Sequence, residues 1–318
     1  MAAIQNDIPI VKRNLREFYF AGDIEPVISI RSGQTIIVET EDANAGLIQT
    51  ENDVYSDFSK LFEKAGGCNP VTGPIYVEDA SPGDCLVVKL ESITVEQRGY
   101  TSIFPTLGAL QSSYTLQPSH GSVTKICEIQ KDHFIFSGKN KEISIPVEPF
   151  IGTISTAPVK ERIYSFYHGK DYCGNIDCPD LKAGTTVVLP VNVEGGLLSV
   201  GDIHARQGDG EITGCALEIR GKVQITVECL PKEKAQFCEW PQVNASDWIG
   251  SIGCPLGGSL DDAVRVAYLD LIERMHAYYG FDKLDAYQLL NLVGRVTVGQ
   301  VLEPLYTCVA KIDRKYLG

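Results

Sequence analysis

Punctuation is what most restricts how this chain can fold. Through its first two-thirds the apolar, β-branched runs are short, at residues 27–30, 35–38, 85–90, 185–191 and 223–227, and Gly, Pro, Asp or Asn separates them. Runs of that length bounded by turn residues read as strands. Three share a local plan: Ser32-Gly33-Gln34, Pro82-Gly83-Asp84 and Ala183-Gly184-Thr185 each lead into a strand. The Gly supplies the turn conformation. Three hairpin-like turns in a β protein give this pattern; a duplication would leave the same trace. Residues 40–72 are polar and mixed, and read as a long loop or a short helix over 55–65. The Gly-, Ser-, Thr-, Pro- and Tyr-rich stretch 97–122 reads as a long irregular loop, a lid or subunit contact.

Helical signals gather at the C-terminus. Ser259 is placed to cap a helix with Asp261 and Asp262 in its first turn, where acids suit the dipole. Ala263, Val264, Ala267, Leu271 and Met275 then recur on one face, and Gly280 ends it. Asp282 starts a second helix with Tyr287, Leu290 and Val293 on one side, closed by Gly294. The run 307–312 is a last strand. The expectation is a mainly β (α+β overall) fold: a β-sandwich or barrel-like body with a smaller α/β portion and C-terminal helices. With 318 residues, two lobes are expected: 1–160, mainly β and carrying the 97–122 loop, and 161–318, a β lobe with the chemical motif and the helical portion.

Charge narrows the function. A net charge of −13 argues against a nucleic-acid surface or an acidic membrane, since both need clustered Lys and Arg. No apolar block follows a basic start, and no run of about 18 apolar residues occurs. A cytoplasmic location is expected. The ten cysteines are scattered without a CxxC pair and read as buried small hydrophobes. A Rossmann fingerprint, a phosphate loop and an HExxH motif are all absent from the sequence.

The densest polar cluster follows an apolar strand-like run: Gly201-Asp202-Ile203-His204-Ala205-Arg206-Gln207-Gly208-Asp209-Gly210-Glu211. Two-residue spacing puts Asp202 and His204 on one face of an extended strand, and Asp209 and Glu211 repeat it. Gly208 and Gly210 let backbone approach a ligand. One imidazole with several carboxylates suits a divalent metal with an open position, Zn2+ first, with Ca2+ or Mg2+ as alternatives. Such an ion acidifies water and polarises an amide carbonyl, and a spare carboxylate can move protons. A Gly/Asp-rich turn with a hydrogen-bonded histidine would have the same spacing.

This segment resembles the G-D-x-H-A-x-Q-G-D-G-E motif of the acetamidase/formamidase family. Thr72-Gly73-Pro74-Ile75-Tyr76-Val77-Glu78 with Pro82-Gly83-Asp84, Pro149-Phe150-Ile151-Gly152 with Ala157-Pro158, and Gly174-Asn175-Ile176-Asp177 look like further family elements. So do Asp285-Ala286-Tyr287 and Val298-Gly299-Gln300-Val301, all in the family's order from about residue 20 to 312. The chain departs from the family at Tyr172 and Cys173, where His and Gly are frequent. The resemblance implies hydrolysis of short-chain or cyclic amides to carboxylate and ammonia or amine, with linear amides the expected substrates, by a homo-oligomer, dimer or higher, and strengthens the metal reading of Asp202 and His204.

The resulting assignment has Asp202, His204 and Asp209 as metal ligands, and Glu211 and Glu78 as the catalytic carboxylates. Asn175, Asp177, Gln207 and Cys173 line the substrate. His168 reads as an exposed loop residue and His276 as a partner of its helix's C-terminal dipole. Two rivals are a catalytically altered small-molecule binding protein on the same scaffold and an amidase using the Cys173 thiolate.

Overall fold

A computed structural model describes residues 8–14, 17–55, 58–105, 107–110, 122–235, 238–302 and 304–318. Residues 106 and 111–121 of the expected 97–122 loop lie outside the described residues. Its beginning is not loop: residues 97–103 finish a 19-residue strand, Cys85–Ile103.

The fold is mainly β, as its punctuation requires. Among the described residues, 18 strands join one largely antiparallel sheet. Its spine is the pairing of Cys85–Ile103 with the 14-residue strand Leu217–Leu230. In the latter, Val223, Ile225 and Val227 are buried while Lys222, Gln224 and Thr226 are more exposed. That period of two packs one face on the core. Gln34–Thr40 pairs with the same strand and turns Ile36 and Val38 inward. The register shifts at Ile219/Gly221 and Gln224/Ile225, irregularities of the kind that raise local twist and help a long pair curl.

Hydrogen bonding runs across residue 160. Leu217–Leu230 pairs with Gln34–Thr40 and Cys85–Ile103, and Leu198–Arg206 pairs with Val71–Val77. The sheet thus takes strands from both halves of the chain.

The first helix, α1, is Phe58–Ala65, the shorter of the two readings of the 40–72 region. Two more, α2 (Leu260–Tyr279) and α3 (Lys283–Val293), form the C-terminal layer. Ser259 and Asp262 make a reciprocal capping box, and Gly280 closes α2 in the left-handed conformation, devices that each contribute about 1 kcal/mol. Ala263, Ala267, Leu271 and Met275 bury against Ile249, Cys308, Ala310 and Ile312, at roughly 1.5–3 kcal/mol for each large side chain. A Cβ at Gly253 would meet the Ala263 carbonyl at 2.0 Å, so Gly there lets α2 approach the sheet. In α3 the inward residues are Ala286 and Leu290, whereas Tyr287 is exposed. Leu290 and Val293 of the expected face do pack on this core, and Ala286 takes the inward place expected of Tyr287. His276 lies in the last turn of α2 and bonds the Phe281 carbonyl through Nδ1 at 2.7 Å.

Candidate active site

Three neighbouring segments assemble the site. Leu198–Arg206 carries Asp202 and His204, its antiparallel partner Phe150–Ser155 carries Gly152, and the turn after Cys173–Asn175 carries Asp177. Asp202 does not sit in extended backbone as the spacing alone suggests; its φ is +55°. Its side chain still meets His204, with Nε2 to Oδ1 at 3.2 Å. Asp177 (φ +50°) and Glu211 (φ +43°) are also left-handed. Three acids of one site in a region that L residues avoid is strain concentrated where function needs a fixed geometry. Gly152 makes room for them, since a Cβ there would meet Asp177 Oδ1 at 2.6 Å and Asp202 Oδ2 at 2.9 Å.

His204 is the hub. Gln207 Nε2 donates to the carbonyls of Asp177 (2.6 Å) and Gly299 (3.0 Å), which turns its Oε1 toward His204 Nδ1 at 2.9 Å. Nδ1 must then carry a proton. The other nitrogen, Nε2, faces Asp202 Oδ1 (3.2 Å), Glu218 Oε2 (3.4 Å) and Asp177 Oδ1 (3.9 Å). A bare lone pair there would oppose three carboxylates, so either a proton or a cation occupies that direction.

The donor set fits a cation. Asp177 Oδ1 and Glu218 Oε2 are buried without a hydrogen-bond partner, an expensive condition for carboxylate oxygens. Donor atoms of Asp177, Asp202 and His204 lie within 4.8 Å of one another, as do those of His204, Glu211 and Glu218. A histidine oriented through its far nitrogen is how metal-binding imidazoles are usually held.

Electrostatics point the same way. Burial pushes Asp177 well above the usual carboxylate range, with Glu211 and Asp202 adding repulsion. Burial likewise raises Glu211 to about 8, His204 working against the rise, and raises Glu218. For His204 burial acts downward, but Glu218 and Asp202 outweigh it and hold its pKa well above the ordinary imidazole value. The Ala216 N–H serves both Glu211 Oε1 (3.0 Å) and Glu218 Oε1 (2.8 Å).

These groups open into a cavity of about 80 Å3 whose other walls include Asn44, Cys68, Asn69, Phe104, Phe166 and Leu302. At roughly 10–15 Å3 per water-sized position, it holds a molecule of only a few heavy atoms.

The structure thus brings together Asp202, His204, Glu211 and Asp177, the last among the candidate ligands rather than apart from them. Gln207 and Asn175 also reach the cluster, on His204 and Asp177, whereas Asp209, Glu78 and Cys173 stay outside it. Asp209 is exposed in the outer turn, because the strand has ended and the chain reverses through Gly210 (φ +89°). Glu78 is about half exposed and reaches Ser29 and Arg31 on the strand Ile28–Ile30 and the turn after it. Cys173 is fully buried in the main core, and burial pushes its thiol far up, the opposite of what a thiolate nucleophile needs. The cavity thiols Cys68 and Cys215 are also pushed up by burial. Asn175 and Gln207 spend their amides on protein groups and act as props. His168 is buried, with Nδ1 on the Cys254 carbonyl at 3.1 Å, because its two-residue strand is stitched to Cys173–Asn175.

Glu218, Asn44 and Asn69 were missed by the sequence reading. For Glu218 a signal existed: a lone acid between Leu217 and Ile219 at the start of an apolar strand. The C-terminal Val298-Gly299-Gln300-Val301 element also has its explanation. Gln300 Nε2 donates to the Asn175 carbonyl at 2.8 Å, Gly299 receives Gln207, and Gly210 bridges Gln300, so this strand clamps the motif from outside.

The structure of the chain is similar to acetamidases from Yersinia enterocolitica (TM-score 0.88, 31% identity, 100% of this chain and 95% of that one) and Bacillus halodurans (TM-score 0.86, 32% identity, 96% and 98%). A formamidase of Methylophilus methylotrophus is 27% identical over 257 residues, 64% of this chain and 61% of that protein. The matches span less than two thirds of the length of such curated relatives. Residues 12–168 and 167–310 match the acetamidase/formamidase family, and with the strained carboxylate–histidine centre lying on its motifs, the chain belongs to that family.

Proposed function

We propose that the protein hydrolyses small linear amides to the carboxylate and ammonia with the help of a divalent cation. The observation that carries this reading is the set of four buried carboxylates around one oriented imidazole, opening into a cavity of about 80 Å3. Asp177, Asp202 and His204 would hold the cation, with Glu218 within reach. Bound there, Zn2+, or Mg2+ or Ca2+ in its place, would supply Lewis acidity to the amide carbonyl and acidify water. The chain itself moves the protons. Glu211 Oε1 is held by the Ala216 N–H, which leaves its second oxygen to take a proton from water and return it to the leaving nitrogen. The C–N bond breaks as the new C–O bond is kept, so one water is consumed for each carboxylate and ammonia released. Phe104, Phe166 and Leu302 exclude bulk water and strengthen the charge interactions inside.

The same reading includes a homo-oligomer in the cytoplasm. Exposed Leu269, Leu284, Tyr287 and Leu292 on α2 and α3 support a subunit contact, which light scattering would test. Among the described residues no helix is long and apolar enough to cross a membrane.

The test of the activity is ammonia release from formamide, acetamide and propionamide, before and after chelation and on adding back each cation. Turnover lost with chelator and regained with one metal is the expected result. Full turnover in metal-free protein would remove the cation's role, and no turnover in any state would remove the reading.

A further inference from the structure

Hydrogen-bond accounting separates two kinds of asparagine in the inner cavity. Asn175 is spent: its Oδ1 accepts from Thr153 Oγ1 (2.5 Å) and Asn69 Nδ2 (3.0 Å), and its Nδ2 donates to Asp177 Oδ2 (2.6 Å). Asn44 and Asn69 line the same cavity and are committed at one end only. Asn44 Nδ2 donates to Tyr100 Oη at 2.6 Å, and Tyr100 donates to Asp42 Oδ1 at 3.3 Å. Asp42 Oδ1 also accepts the N–H groups of Asn44 (3.0 Å) and Gly46 (3.1 Å), so the turn and the tyrosine together fix the carboxamide's orientation. Asn69 Nδ2 is shared between Asn175 Oδ1 and Asp202 Oδ2 (2.9 Å). The amino end is held by protein in both, through one N–H of Asn44 and both of Asn69, which leaves each carbonyl oxygen as an acceptor on a residue that lines the cavity.

We propose that Asn44 and Asn69 make the site specific for unsubstituted amides, each Oδ1 accepting one N–H of the substrate's –NH2 group. The inference rests on the amide-hydrolase reading, in which release of ammonia already implies a primary amide, and names the residues that enforce the preference over N-alkyl amides of the same acid. A primary amide offers two N–H donors, and each N-methyl group removes one donor and adds volume to a cavity with little to spare. A site built to hydrogen-bond a substrate N–H rejects the analogue lacking it, because a buried acceptor is left unpaired. Tyr100 is a positioning residue, acting only through Asn44.

The test compares formamide with N-methylformamide by release of formate, the product common to both. Where N-methylformamide is not turned over, its Ki as a competitive inhibitor stands in for its KM. The wild type should favour formamide by at least about tenfold. In Asn44→Ala and in Tyr100→Phe the preference should shrink about tenfold, chiefly through a higher KM for formamide. Tyr100→Phe keeps the ring and answers if Asn44→Ala does not fold. A purely structural role would weaken both substrates alike, and an unchanged preference in both variants overturns the proposal while leaving amide hydrolysis standing. A wild type that turns over neither substrate removes the amide reading first, and this proposal with it.

Discussion

The chain buries charge in two places and handles it in two ways. Beneath α2, Asp270 and Arg274 are 3% and 4% exposed and evenly matched. Ser251 stands between them, donating to Asp270 Oδ2 and accepting from Arg274 Nη1 at 3.1 Å, while Arg274 also reaches the Gly250 carbonyl (2.6 Å) and Asn244 (2.7 Å). Around His204 four carboxylates face one imidazole, and two of their oxygens have no partner. The balanced pair also leaves two atoms unpartnered, Asp270 Oδ1 and Arg274 Nε, but its charge is matched within the chain. That of the unbalanced set is not, since carboxylates that close in a low dielectric cannot all ionise without further positive charge. Unequal burial of charge, more than the mere presence of buried acids, marks where something from outside belongs.

Removing the cation from each centre gives the largest expected contrast. His204→Ala should lower amide turnover by about a thousandfold or more, the scale of losing a component of a catalytic unit, and abolish metal uptake while circular dichroism stays native. Arg274→Met should do the reverse. It strands Asp270 in a dry site, at about 3–5 kcal/mol of stability, seen as a lower denaturation midpoint with turnover intact at low temperature. Equal damage to activity from both substitutions would erase the distinction.

How far this contrast was legible in the sequence depends on the kind of signal. Ser259, Gly280 and Asp282 act within a few residues of themselves, and the capped helices stand where those residues indicate. Asp202 and His204 were legible because two-residue spacing and a long motif agreed. Glu218 was not: it comes from a different strand, and register alone brings it to His204, pairing the two residues directly. Asp209 and Glu78 looked equivalent to their neighbours because sequence carries no distance; one turn after Gly208 sends Asp209 to the surface. Asn44 was hidden for another reason. Its value lies in which end of its amide is occupied, and that depends on Tyr100, 56 residues away.

The balanced centre should announce itself in the pH dependence of stability. Burial raises Asp270 to about 6 from the usual 3.8, with Ser251 and Arg274 opposing. Between those values the native protein keeps a proton that the unfolded chain has released. Stability is therefore full below about pH 4 and falls as pH rises to about 6, by about 3 kcal/mol at 1.36 kcal/mol per unit. Asp270→Asn should remove this fall. His168 supplies the opposite sign. Burial lowers it to about 4, so its contribution is lost as pH drops from 6.5 toward 4, and His168→Asn should flatten that acid limb. Urea midpoints from pH 4 to 8 separate the two. A slope unchanged in Asp270→Asn would mean that the Arg274 centre does not hold its acid as the geometry implies.

The smallest effect is the one that most sharpens the comparison. A cation that binds the native protein and not the unfolded chain stabilises by about 2.7 kcal/mol when present at a hundred times its Kd. If the His204 cluster is the binding site, thermal midpoints of metal-stripped wild type should rise on adding the cation, and those of His204→Ala should not. Arg274→Met supplies the control: its midpoint starts lower, yet it should rise by the same free energy, because its own centre is far from complete but the other is untouched. Were the cation to restore Arg274→Met to the wild-type midpoint while leaving wild type unmoved, the assignment of the two centres would have to be exchanged. A rise of equal size in His204→Ala would move the cation elsewhere and leave the carboxylates of the cavity to be neutralised by protons, with His204 supplying positive charge in the wild type.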